Sequence, residues 1–115
     1  MRQEASVCAL RDAFACGPVK PGACAVAIVD LRQWQTWLDD AWALLVAGER
    51  ERVGQRRFAS DREALALTFA FHRLFVASVL GVAPATVCIA RDAEGAPWLP
   101  GQQRRGQPVH TSLSH

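Results

Sequence analysis

Five arginines crowd into thirteen positions: Arg50, Arg52, Arg56, Arg57 and Arg62. A guanidinium presents a planar fork that matches phosphate, so such a cluster can form an anion site. The plainer alternative is a solvated helix face, with Glu49, Glu51 and Asp61 as surface partners. The chain ends in Ser112-Leu113-Ser114-His115, with His110 just before. A serine-histidine pair needs an orienting acid and an oxyanion hole to act as a nucleophile. Nothing in the sequence places either. No glycine-rich phosphate loop is present. His72 and Arg73 lie in the middle of an apolar stretch. His72 is expected to be a satisfied core or interface histidine, and Arg73 is assigned no ligand.

The four cysteines are Cys8, Cys16, Cys24 and Cys88. None forms a C-x-x-C pair, and no histidine completes a metal-ligand spacing. They are expected as scattered buried thiols in a reducing cytoplasm. The net charge of +2 does not by itself argue for nucleic acid.

The elements that must position these groups centre on residues 49–80. Ser60 and Glu63 have the spacing of a capping box. Ala64, Leu67, Phe71, Leu74 and Phe75 recur at helical spacing. Leu65, Phe69, His72, Val76, Val79 and Leu80 widen that face until the helix is apolar on most sides, which predicts a central core helix. From Asp61 to Leu80 it would be about 30 Å long. Gly81 can end it, because glycine takes the left-handed conformation cheaply. Arg62, Glu63, His72 and Arg73 interrupt the apolar run, and a membrane span needs about 20 apolar residues. No membrane partner is expected.

At 115 residues, half of them hydrophobic, the chain is long enough for one packed domain. Residues 1–22 are weakly patterned and are expected to be a weakly structured leader. Glu4 and Asp12 interrupt any secretory signal. Ala23 to Leu31 is a short apolar run that suits a buried strand. Arg32 to Ala47 carries Trp34, Trp37, Leu38, Ala41, Trp42 and Leu45 at helical spacing, with Gly48 as a stop. The tryptophans are expected in the core. Gly81 to Pro84 is a turn, and Thr86 to Ala90 is a second strand. Arg91 to Gly95 is turn-forming. Ala96 to Leu99 starts an edge strand, where proline is tolerated. Pro100 to Pro108 is a polar loop. Val109 to His115 reads as a strand that breaks off. The fold class is therefore α+β, with a small, three-stranded sheet packed on the long helix.

ERVGQRRFASDREA, a helix ending in LGVAP, then RDAEGAPWL and SLSH stand in this order with short gaps. From about Asp30 to the end, the chain resembles the amino-terminal half of the Sfp-type 4′-phosphopantetheinyl transferases. That family shows an E-R-x-x-x-x-x-F-x-x-x-D segment, a long helix, a strand, G-K-P-x-L and F-N-x-S-H-S. The resemblance implies residues 23–115 as half of the family's pseudo-dimer, a long central helix on a small, mostly antiparallel sheet. It also implies transfer of phosphopantetheine from coenzyme A to a carrier-protein serine, releasing 3′,5′-ADP. The implied partners are coenzyme A and an acyl or peptidyl carrier protein, with no nucleic acid, in the cytoplasm. The pathway would be fatty acid, polyketide or nonribosomal peptide biosynthesis.

Residue by residue, the resemblance makes Arg52 and Arg91 contacts to the coenzyme A phosphates. Ser114 and His115 match the family's phosphate-binding Ser-His. Two departures stand out: Ala96 replaces the lysine of G-K-P, and Thr111-Ser112 replaces F-N. The family's magnesium carboxylates, a D-x-E pair, lie downstream of the Ser-His. No metal ligand or catalytic residue is therefore assigned in this chain. The expectation is half an enzyme, truncated or split, inactive alone and able to self-associate through the face its other half would cover. The alternative from a different class is a non-catalytic anion-binding or protein-interaction module.

Overall fold

A 22-residue helix, Ala59–Leu80, forms the axis against which the neighbouring helices and turns are packed. The computed structural model describes residues 24–101, 103, 104 and 107–113. The predicted leader, Cys8, Cys16, Ser114 and His115 lie outside the described residues.

In chain order, a 3₁₀ segment, Leu31–Trp37, runs into α1, Leu38–Leu44. Then come α2, Ala47–Gly54, and the central helix α3, Ala59–Leu80. A 3₁₀ turn, Pro84–Thr86, leads to β1, Ala90–Arg91, and β2, Pro97–Trp98. The hairpin β3, Gln103–Arg104, and β4, Gln107–Pro108, follows. Both strand pairs are antiparallel, and they form two separate two-stranded sheets. The structure is α+β, with a long helix and a small antiparallel sheet. The single three-stranded sheet expected from the sequence is not formed.

Helix α3 is apolar nearly all round because it is covered nearly all round. The 3₁₀ segment, α1, α2 and the 84–86 turn all pack against it. Its residues Leu65, Leu67, Phe69, Phe71 and Leu74 build the main core with Ala41, Leu45 and Val53. Leu67 and Leu74 have no exposed surface. Each such side chain contributes about 1.5–3 kcal/mol by leaving water. By length and composition α3 could also cross a membrane, but 67% of its most apolar window is buried by its own neighbours. Val76, Ala77, Val87 and Leu99 form a second cluster, which carries the β1–β2 hairpin.

The start of α3 differs from the sequence expectation. The N-cap is Phe58, with no side-chain cap, and the Phe58 carbonyl accepts the Arg62 N–H at 3.0 Å. Ser60 therefore sits inside the first turn, Glu63 just beyond it, and the two form no capping box. The end is as expected: Gly81 takes φ 70°, and Val82 N–H donates back to Ala77 at 3.0 Å.

The tryptophan-rich segment is two helices rather than one. It breaks at Leu45, whose ψ of 141° is extended. Gly48 is not a stop but lies in the first turn of α2. The reason is Glu49, whose carboxylate accepts the Val46 N–H at 3.1 Å and starts a new helix there. Trp34 meets Phe71 edge-on at 5.3 Å, and Trp37 packs on the same core. Trp42 is exposed.

Residues 24–30 form no strand. Val26 and Ile28 are 78% and 95% exposed, and of this run Val29 packs against the main core. The 86–90 strand shrinks to β1, because the Pro84–Thr86 turn takes its start. Residues 109–113 are not a strand either; they run as a strap that packs Leu113 on the main core. Cys24 and Cys88 are exposed free thiols, not buried ones.

Candidate functional site: an arginine face over a buried ion pair

The arginine cluster separates into different tasks once the chain is folded. Arg50 donates to the Trp42 carbonyl through Nε at 3.3 Å and Nη2 at 3.1 Å, and its guanidinium stacks over the Trp42 ring. It closes the end of α1. Arg62 donates Nη1 to the carbonyls of Arg56 and Arg57, at 3.0 and 3.1 Å, and closes the turn into α3. Arg57 lies over Phe58. Arg52, in the last turn of α2, has no such duty among the described residues and is exposed. It reaches the β1–β2 turn: a methyl group added at Gly95 would lie 3.5 Å from Arg52 Nη1.

That turn is built by its own residues. Asp92 Oδ1 accepts the N–H groups of Glu94 and Ala96, both at 2.9 Å. Gly95 N–H donates to the Asp92 carbonyl at 3.0 Å, and its φ of 91° suits glycine. The turn thus consumes the Asp92 carboxylate internally. It leaves Arg91, the residue before it, facing inward from β1.

Arg91 lies on the Phe69 ring, with its guanidinium carbon 4.3 Å from the centroid. Such stacking holds a cation flat without using its N–H groups. Nη2 is 3.5 Å from Glu49 Oε2. Burial, the largest cause, lowers the Arg91 pKa, and the charges of Arg52 and Arg73 act in the same direction; Glu49 opposes them. Arg52 and Arg91, distant in sequence, are thus close enough to repel each other. The structure brings these two candidate residues together.

Beneath them lies a pair that sequence reading missed. Arg73 Nη2 donates to Glu49 Oε1 at 2.8 Å, and Nη1 donates to the Val87 carbonyl at 2.6 Å. The side chains are 2% and 4% exposed. Glu49 is therefore no surface partner of the cluster, and Arg73 is not idle. An arginine in the middle of an otherwise apolar helix was the available signal, since a charge is seldom buried without a partner. Its partner, 24 positions upstream, could not be chosen from the sequence.

His72 is also buried. Its Nε2 lies 2.8 Å from Thr111 Oγ1, which ties the strap to α3. Nδ1 has no partner among the described residues, nor has Arg73 Nε. Burial pushes the His72 pKa down to about 4, helped by the Arg91 charge and then Arg73, with Glu49 opposing. His72 is neutral at ordinary pH and is only half satisfied.

Among the described residues no group of three His, Cys, Asp or Glu side chains could hold a metal ion. Glu49 and the Val87 carbonyl take Arg73, which leaves Arg52 and Arg91 as the guanidinium groups here whose chemistry suits an anion. No protein-family model, curated protein or solved structure matches the chain.

Proposed function

We infer that this chain is the coenzyme A-binding half of a 4′-phosphopantetheinyl transferase. Arg52 and Arg91 would meet the phosphates of coenzyme A, with Ser114 and His115 completing the site. The observation that carries this is the meeting of Arg52 with Arg91 and the 92–95 turn, from elements 39 positions apart. Coenzyme A has a diphosphate and a 3′-phosphate, and charge-assisted bonds to phosphate are strong. Transfer to a carrier-protein serine in the cytoplasm would need the second half of the pseudo-dimer. The resemblance puts the magnesium carboxylates in that second half.

The binding test is direct. By calorimetry or ligand-observed NMR, 3′,5′-ADP is expected to compete with coenzyme A. Affinity should be weak, about millimolar, because Ala96 supplies no cation. Arg52→Ala should weaken both ligands by about 1.5–3 kcal/mol, the usual loss of a charged hydrogen bond. Equal binding by the variant would remove Arg52 from the site. A chain that binds inorganic pyrophosphate but not coenzyme A would favour the non-catalytic anion-binding module.

A half pseudo-dimer should also leave apolar surface uncovered. Val26, Ile28, Phe58, Val82 and Trp98 are all exposed. Gathered into one patch, such side chains would favour association. Light scattering over a concentration series is expected to show dimers or larger species. A monomer at every concentration would count against the half-domain.

A further inference from the structure

An anion site has no evident use for a carboxylate, yet Glu49 sits directly under this one. Its two oxygens are held unequally. Oε1 takes both Arg73 Nη2 at 2.8 Å and the Val46 N–H at 3.1 Å. Among the described residues Oε2 meets only Arg91, at 3.5 Å, the outer limit of a hydrogen bond. Arg73 is fixed at its other end by Val87 and is 2% exposed, so no dissolved anion can reach it. Arg91 keeps 8% of its side chain exposed and rests on an aromatic face. A ring face holds a cation through its quadrupole rather than through a directed bond, so Arg91 can slide or turn on it. Glu49 cannot follow, because Arg73 and the start of α2 hold it.

The geometry points to Glu49 as a built-in counterion that Arg91 gives up when a phosphate group arrives. This rests on Arg52 and Arg91 forming the phosphate site. Without an anion, Glu49 offsets the repulsion between Arg52 and Arg91. With one, the phosphate takes Arg91 and the carboxylate stays with Arg73. Glu49 then sets the affinity: it competes with phosphate for Arg91 and repels it. A purely structural Glu49 would support the site, and losing it could only weaken binding. A counterion makes the opposite demand.

Glu49→Gln separates the two. The amide keeps the shape, and its oxygen can still accept from Arg73 and Val46, while the negative charge is gone. Inorganic pyrophosphate is the probe, titrated into the full chain by NMR or calorimetry at low salt. Glu49→Gln should melt earlier than wild type yet bind pyrophosphate about tenfold more tightly, with a steeper salt dependence. Unchanged or weaker binding by the folded variant overturns the counterion role. Should the variant fail to fold, the wild type decides. Added pyrophosphate should move the Arg91 guanidinium resonances and leave those of Arg73 in place. Movement of both, or of neither, overturns it. Pyrophosphate binding that Arg52→Ala abolishes, with no gain in Glu49→Gln, sinks the counterion and spares the phosphate site. No binding by any of these proteins sinks both.

Discussion

Arg73→Met is expected to lower the unfolding free energy by about 3–5 kcal/mol, the cost of leaving one buried charge without its partner. Methionine nearly fills the same volume, so little of the loss would come from a cavity. What remains is a carboxylate that is 4% exposed, with the Val46 N–H and Arg91 at 3.5 Å as its partners among the described residues. The Val87 carbonyl would lose its donor as well. Glu49→Met added to Arg73→Met should restore much of the stability, because no buried charge is then left unpaired. Urea unfolding of the two single variants and the double one measures this. A single variant costing under about 1 kcal/mol, or a double variant worse than either single one, would mean that the pair does not hold α2 to α3.

Between pH 7 and pH 4 the fold is expected to lose about 3 kcal/mol through His72 alone. The folded pKa, about 4, lies below the ordinary 6.5. Above 6.5 the imidazole is neutral both folded and unfolded, and its full contribution is present. As pH falls, the unfolded chain takes up the proton first, so stability falls and levels off below 4. The groups facing the imidazole are Arg91 and Arg73, which disfavour its charge, and Glu49, which favours it. His72→Gln cannot titrate and can still reach Thr111. Urea midpoints of the two proteins at pH 7, 5.5 and 4.5 should diverge as pH falls, with the wild type losing more. Parallel curves would mean that His72 is not the sensing group.

The central helix was legible because burial on every side leaves an apolar run bounded by a turn residue, and Gly81 marks the end locally. Its start was not legible. Ser60 and Glu63 have the right types, but Phe58 is already extended and Ala59 already helical. Capping needs a backbone break at the serine, and the break came two residues earlier. The split at Leu45 was hidden for a related reason: Glu49 starts α2 from within a helical pattern. Residues 24–30 were misjudged because a short apolar run says nothing about whether a neighbour will cover it. At the site, Arg52 and Arg91 were nameable only through the resemblance, and composition alone gave a diffuse cluster. The Glu49–Arg73 pair spans 24 residues and depends on how α2 docks, which no local pattern encodes.

Helix α2 has eight residues and buries only Glu49 and Val53. A helix this short is not stable by itself in water. It is a helix because α3 holds it, through one ion pair and one valine. Arg52 rides on α2, whereas Arg91 rides on the hairpin fastened to the far cluster. Their meeting therefore exists only while α2 is docked. Undocking would uncover Val53, separate the Glu49–Arg73 pair and take Arg52 away from Arg91. On the proposed phosphate role of Arg52 and Arg91, an anion that binds both would favour the docked α2, and occupancy would report how closed the molecule is.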